Sequence, residues 1–266
     1  MRQLVCCIRK DIFEVIRNKR TILFNSLIIA ITIMVLGTTL AFPSLIDLLV
    51  KKAPDMVSDG SQIHQVMEKL FPQTTKENMG IWASDIIIFF TISISLVCCN
   101  MIPNEIHTGR WILVMEAGYS HWQMLISKML VYGGCTALPI FVGYNLYHVL
   151  SSIFISNNYP SRIVLGNSII IAIAIFSITT LSIALSVVCK NHITAVMTMI
   201  ITVLATPDIL AMFSFGNLFP TYVLTFLYNS SDNFMELIIP GITLILLQLS
   251  LYYIAIKNFE KIEISR

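Results

Sequence analysis

The stretch TILFNSLIIAITIMVLGTTLAF, residues Thr21–Phe42, contains no charged side chain. At about 1.5 Å of rise per residue, a helix of this length crosses the roughly 30 Å hydrocarbon core of a bilayer. Further long apolar runs follow along the chain and alternate with short charged clusters. This alternation predicts an all-α integral membrane protein that crosses the bilayer several times.

The overall composition supports the same fold class. Of the 266 residues, 56% are hydrophobic and only 12% are charged, whereas about 25% of the residues in a soluble domain are charged. So few charges leave too little polar surface to cover a globule in water. The net charge of +2, without a concentrated basic face, argues against a nucleic-acid partner.

The apolar runs predict six spans within one transmembrane domain, residues 1–266. The predicted spans are 21–42, 84–103, 122–154 with its outer end, 163–189, 192–207 and 236–257. Four further segments have predicted roles: an interfacial elbow helix at 1–20, an extracellular segment at 43–80, a cytoplasmic coupling segment at 104–120 and an outer re-entrant hairpin at 208–235. The hairpin follows from the breaks at Gly216 and Pro220, since irregular backbone at membrane depth needs protein or water around it.

The distribution of Lys and Arg predicts the orientation. With both termini inside, 12 of the 17 basic residues fall in cytoplasmic segments and five in outer ones, as the positive-inside rule requires. We therefore expect a multi-pass protein of a bacterial cell membrane with both termini in the cytoplasm. Trp82, Trp111 and Trp122 are predicted to lie at the membrane–water interfaces.

The first twenty residues have the pattern of an amphipathic helix. Leu4, Ile8, Ile12, Val15 and Ile16 recur at helical spacing. The basic residues of this elbow helix include Arg9, Lys10, Arg17 and Arg20. The pattern predicts a helix in the inner interface, with its apolar face in lipid and its basic face toward headgroups. The alternative is a cytoplasmic extension of the first span.

Several catalytic motifs are absent from the sequence. No Gly is followed by Lys, so there is no phosphate-binding Walker loop, and neither HExxH nor GxSxG occurs. The six cysteines have no metal-ligand spacing. The predicted spans carry no Asp, Glu, Lys or Arg near their midpoints, which argues against a proton-coupled transporter. We therefore expect no enzyme activity in this chain itself and no metal site, and an energy source on a partner.

The segment between the second and third predicted spans carries the most informative motif. It reads NEIHTGRWILVMEAGYS over residues 104–120, followed by Lys128 at the start of the third span. The pattern predicts a short cytoplasmic helix, a break at Gly118 and re-entry into the membrane. A rigid helix of this kind is suited to receive force from an ATPase.

This pattern resembles the permeases of the ABC-2 type transporter family. Its matching residues, in order and spacing, are Glu105, Thr108, Gly109, Gly118, Ser120 and Lys128. Arg17–Arg20 is similar to the elbow of that family, and Leu218–Tyr222 to its Pro-containing outer hairpin. The sequence departs from the family pattern at Arg110-Trp111 and at Thr206–Asp208.

The resemblance implies the membrane subunit of an ATP-binding cassette exporter that works by alternating access. Its partners would be two separate ATPase subunits, a second copy or a sibling permease, and membrane lipid. ATP and Mg would bind to the ATPases, and no cofactor to this chain. The cargo would be hydrophobic or amphipathic, such as a peptide, an antibiotic or a lipid-like molecule. Two alternatives stay open, namely a polysaccharide or glycolipid exporter of the same family and a non-transporting sensor or immunity protein that binds a toxic peptide.

The resemblance also assigns residues to roles. The residues expected to couple to the ATPase are Glu105, Thr108, Gly109, Arg110, Glu116 and Gly118. The residues expected to form an outer gate are Phe213, Phe215, Phe219, Pro220 and Tyr222. For Glu105 the alternative is a solvated charge at the end of the second span, and for Arg110 it is a positive-inside anchor.

Overall fold

A computed structural model describes residues 2–52, 74–154, 159–189, 191–205, 209 and 238–264 of the chain. The helices in these ranges are α1 (Arg2–Arg17), α2 (Arg20–Lys52), α3 (Thr75–Cys98), α4 (Met101–His107), α5 (Arg110–Glu116), α6 (His121–Phe154), α7 (Ser161–Val188), α8 (His192–Ile200) and α9 (Ile238–Ile264). A turn of π-helix, Ile201–Ala205, continues α8. The described residues contain no strand, which confirms the all-α class.

Five helices in the described ranges are long and apolar enough to cross a membrane. They are Thr21–Ala41, Thr75–His107, His121–Phe154, Ser161–Val188 and Ile238–Asn258. The predicted fifth span corresponds to a shorter apolar helix, His192–Ala205, which at about 1.5 Å per residue is roughly 21 Å long. The chain is therefore a membrane protein with several apolar helices, and the sixth crossing stays a prediction.

The helices extend into the predicted extracellular segment from both sides. The helix α2 runs ten residues beyond Phe42, to Lys52. The helix α3 begins at Thr75 instead of residue 84, because Thr74 and Glu77 form a reciprocal capping box there. Residues 53–73 lie outside the described ranges.

The closest pairing within the bundle joins α6 to α7. The Thr136 and Thr179 hydroxyl groups lie 2.9 Å apart across this pair. At Gly133, an added Cβ atom would lie only 2.6 Å from the Phe176 ring, so the absence of a side chain permits the close approach. Ser182 and Ser186, four residues apart, are both buried on α7.

Two of the three tryptophans that were predicted at the membrane–water interfaces are buried within the bundle, and their depth in the membrane stays a prediction. Trp82 is fully buried and Trp111 is 7% exposed, while Trp122 is 45% exposed. The Trp82 ring stacks on Tyr147 at 5.3 Å and meets Tyr144 edge-on at 5.6 Å. Its indole N–H donates to the Thr32 hydroxyl at 3.1 Å. The two buried indole rings therefore face other helices and are not available as interface anchors.

The elbow segment forms a helix of its own. The helix α1 ends at Arg17 and α2 begins at Arg20, with Lys19 at a φ of 54° between them. The helix α1 is therefore separate from α2, and its position in the inner interface stays a prediction. The helix α1 packs against α6 through a face that includes Cys7, Asp11 and Val15.

The exposed face of α1 differs from the predicted apolar face. Ile12 and Ile16 are exposed, as expected for lipid contact, but Val15 is only 2% exposed and packs into the core. Val5 and Phe13 are exposed as well. The helix thus has one face against the bundle and a second apolar surface that the described residues leave exposed.

Candidate functional site

A buried ion cluster lies where α1, α4 and the first turns of α6 meet. It consists of Asp11, Glu105, Ser127 and Lys128, with side chains that are all at most 8% exposed. The Lys128 ammonium Nζ lies 2.6 Å from Glu105 Oε1 and 3.5 Å from Asp11 Oδ1. The Ser127 hydroxyl donates to the other Asp11 carboxylate oxygen. One ammonium group therefore connects three helices.

Helical spacing explains how these side chains come together. Asp11 lies four residues from both Cys7 and Val15, so that all three share the face of α1 that packs against α6. Glu105 lies in α4 and Lys128 near the start of α6, and the intervening chain folds back through α5. Two glycines allow this reversal, because Gly109 and Gly118 have φ angles of 70° and 83°, which other residues rarely adopt.

The charges within the cluster do not balance. Two carboxylates face one buried ammonium group, and Asp11 Oδ1 accepts no hydrogen bond from the described residues. A second ammonium, from Lys10, lies 3.6 Å from that oxygen at the protein surface. Because buried carboxylates are stable only beside a counter-charge, Lys128 is the residue on which the cluster depends.

A charged cleft of about 530 Å³ opens beside the cluster. The residues that line it are Lys10, Phe13, Glu14 and Arg17 of α1, Glu105 of α4, and Arg110 and Val114 of α5. The cleft brings elbow residues and coupling residues, which the sequence analysis treated as separate groups, into one site. Arg17 and Arg110 are exposed there, and their guanidinium groups form no ion pair with the described residues.

The predicted coupling residues fall into two groups. Thr108, Arg110, Glu116 and Gly118 are exposed, and Gly109 is partly exposed. Thr108 ends α4 by donating its hydroxyl to the Asn104 carbonyl oxygen at 2.8 Å. Glu105, in contrast, is 6% exposed and directs its carboxylate toward Lys128. The alternative that Glu105 is a solvated charge is therefore wrong, while its contact with an ATPase stays a prediction.

The predicted elbow residues also differ from one another in their surroundings. The Arg9 guanidinium lies 5.7 Å from the centre of the Phe13 ring, within the range of a cation–π interaction. Lys10 and Arg17 line the charged cleft. The Arg20 side chain and the predicted gate residues Phe213–Tyr222 lie outside what the structure describes.

Asp11 and Ser127 are the site residues that sequence reasoning missed. Asp11 is not among the predicted site residues, although its spacing from Cys7 and Val15 places it among apolar neighbours. That spacing was the available signal. Lys128 was noted as part of the motif, but its pairing with Glu105 across 23 residues of sequence is visible only in the fold.

The packing of α1 leads to a prediction about its two neighbouring cysteines. Cys6 is exposed and Cys7 is buried, and burial, reinforced by the Asp11 charge, raises the pKa of the Cys7 thiol. Since the thiolate is the reactive form, we expect maleimide to modify Cys6 at least about ten times faster than Cys7 at pH 7.5. Single-cysteine variants that retain only one of these thiols, followed by mass shift over time, would measure both rates. Equal rates would show that α1 does not rest on α6.

The fold and the cluster define the class of this protein. It is an all-α membrane protein in which a buried ion cluster attaches the N-terminal helix α1 to the rest of the bundle. Comparison with protein-family models finds no family that matches the chain, and no curated protein matches it. The residues of the charged cleft and of the cluster are therefore the features of the chain that bear on its function.

Proposed function

We propose that this chain is the membrane-spanning subunit of an ATP-binding cassette exporter and that its ATPase docks at the charged cleft. The observation that carries the proposal is the convergence of α1, α4 and α5 on that cleft. A soluble partner would find there the guanidinium groups of Arg17 and Arg110, which form no ion pair with the described residues, beside the exposed surface of α5. Such groups favour a partner surface that carries carboxylates.

The buried ion cluster provides a mechanical route from the cleft to the bundle. A partner that pushes on α5 would displace α4, and the contact between Glu105 and Lys128 would pass this displacement to α6. The contact between Lys128 and Asp11 would pass it to α1. Glu105 acts in this scheme as a positioning residue between helices, and Arg110 as a docking residue.

The other elements of the proposal follow from the family resemblance. The exporter contains two ATPase subunits, which bind ATP and Mg, and this chain pairs with a second copy or a sibling permease. The cargo is hydrophobic or amphipathic and leaves the cytoplasm by alternating access. The lack of charged residues near the midpoints of the predicted spans favours such a cargo over ions or free sugars.

Co-purification from the native host tests this function. We expect the tagged, detergent-solubilised chain to recover a near-stoichiometric ATP-binding cassette protein, identified by mass spectrometry. Arg110→Glu should reduce that recovery at least about tenfold, because it reverses a charge that faces the partner. Arg162→Glu is the matched control, since Arg162 is an exposed arginine at the opposite end of the bundle.

Two results would contradict the proposal. If the folded wild-type chain recovers no ATPase under gentle solubilisation, the exporter function fails, and a sensor or immunity protein becomes the better explanation. If Arg110→Glu and Arg162→Glu reduce recovery equally, the ATPase does not dock at the charged cleft.

A further inference from the structure

The charged cleft between α1, α4 and α5 carries more positive than negative charge. The residues of α1 that line it recur three or four positions apart and share one face of that helix, namely Lys10, Phe13, Glu14 and Arg17. With the adjoining ion cluster included, the cations are Lys10, Arg17, Arg110 and Lys128, and the carboxylates are Asp11, Glu14 and Glu105. Four cations therefore face three carboxylates, which leaves one positive charge in excess among these groups.

Two arginines from different helices are accessible to a ligand in this cleft. Arg17 is the last residue of α1, and Arg110 is the first residue of α5. Both side chains are exposed, and neither forms an ion pair with the described residues. A guanidinium group can bind two phosphate oxygens through parallel N–H donors. A phosphate group held by both arginines would join α1 to α5.

The surroundings of Arg17 favour an amphiphilic ligand over a soluble anion. Only three residues separate Arg17 from Thr21, where the first candidate span begins, so its guanidinium group lies at headgroup depth when that span crosses the bilayer. Phe13 lines the cleft, and its neighbours Ile12 and Ile16 on α1 are exposed, as is Phe13 itself. These side chains offer apolar surface for acyl chains directly beside the cations.

We propose that the charged cleft binds the phosphodiester headgroup of an anionic membrane lipid. Arg17 and Arg110 donate to the phosphate oxygens, and the acyl chains lie against Phe13 and Ile16. The single excess positive charge matches the one negative charge of a lipid such as phosphatidylglycerol. Phosphatidylcholine would bring its own ammonium group against the same cations, and a phosphomonoester would bring a second negative charge beside Glu14.

The lipid site goes beyond the proposed function, because it belongs to the chain alone and needs no ATPase. If an ATPase docks through Arg110, the lipid binds the same guanidinium group and competes with it. Anionic lipid would then hold α5 against α1 in the chain that has no ATPase. Binding to the purified chain tests the lipid site separately from the docking of an ATPase.

Native mass spectrometry of the purified full chain, released from detergent micelles, measures the binding. The probes are dioleoyl phosphatidylglycerol and dioleoyl phosphatidylcholine, titrated separately. We expect the first molecule of phosphatidylglycerol to bind at least about ten times more tightly than phosphatidylcholine. Arg17→Gln and Arg110→Gln should each weaken the binding of phosphatidylglycerol about fivefold, as expected for one basic residue at an anionic lipid, and leave that of phosphatidylcholine unchanged.

Arg162→Gln is the matched control for these variants. Arg162 is exposed and lies beside the start of another candidate span, Ser161–Val188, so it has a similar depth but lies outside the cleft. The substitution should leave the binding of phosphatidylglycerol unchanged. Equal affinity of the wild-type chain for the two lipids, or an equal loss in Arg162→Gln and Arg110→Gln, would overturn the proposal.

Hydrogen exchange of the wild-type chain in micelles shows whether the lipid joins the two helices. Phosphatidylglycerol, but not phosphatidylcholine, should slow exchange at the amides of α5 as well as at residues 14–17 of α1. Inorganic phosphate at the same concentration should not reproduce this protection. Protection confined to α1 would show that no lipid bridges to Arg110, and equal protection by inorganic phosphate would show that the cleft takes a free anion. Either result would overturn the proposal.

Discussion

Replacing Lys128 by Met should lower the free energy of unfolding by about 3–5 kcal/mol, the usual cost of removing one partner from a buried ion pair. The Glu105 and Asp11 carboxylates would then face each other across α6 without the ammonium that now lies 2.6 and 3.5 Å away. Reversible unfolding of the purified chain in mixed micelles, titrated with SDS, would measure the change.

Two controls make this prediction specific to the cluster. Lys10→Met removes an ammonium that is also near Asp11 but 46% exposed, and it should cost less than about 1 kcal/mol. Combining Lys128→Met with Glu105→Leu and Asp11→Asn should restore most of the lost stability, since the carboxylates that lack a partner are removed as well. If Lys128→Met costs no more than Lys10→Met, the cluster does not hold the helices together.

The same set of variants distinguishes stability from coupling. In the triple variant the helices should stay packed, but no charged contact would join α4 to α1 and α6. If the exporter hypothesis holds, this variant should still bind its ATPase through Arg110 and lose ATP-driven transport. If the ion cluster had only a structural role, the triple variant would regain transport together with its stability.

The sequence predicted the fold class well because it depends on composition and run length. Uncharged runs such as Thr21–Phe42 are long enough to span a bilayer, and few other structures accommodate them. The break at Gly118 was also predicted, and its φ of 83° confirms a turn there, whereas the turn at Gly109 was not predicted. The start of α3 was missed although the sequence carries its signal, because Thr74 and Glu77 have the spacing of a capping box.

The sequence could not predict which face of a membrane helix lies inside the bundle. In a soluble helix the polar residues mark the outer face, whereas α3 and α6 are apolar all round. Trp82 was therefore assigned to an interface, although its partners are residues 32, 144 and 147 on other helices. The pairing of Asp11 with Ser127 was hidden for a different reason, since 116 residues separate them in the sequence.

Trp82→Ala should cost about 3–5 kcal/mol, the range observed when a large buried aromatic side chain is removed. The ring is fully buried, stacks on Tyr147 and donates to Thr32, so its loss would leave a cavity between α2, α3 and α6. Within a bilayer this cost comes mainly from lost packing contacts, because lipid and protein interior are similarly apolar. Unfolding in SDS would again measure the change.

Two companion variants separate the packing of Trp82 from its hydrogen bond. Trp82→Phe keeps an aromatic ring beside Tyr147 and loses the N–H donor to Thr32, so it should cost about 1 kcal/mol. Trp122→Ala removes an indole that is 45% exposed and should cost clearly less than Trp82→Ala. If the two alanine variants cost the same, the indole of Trp82 would face lipid as that of Trp122 does, and the packing of α2 and α6 around α3 would be wrong.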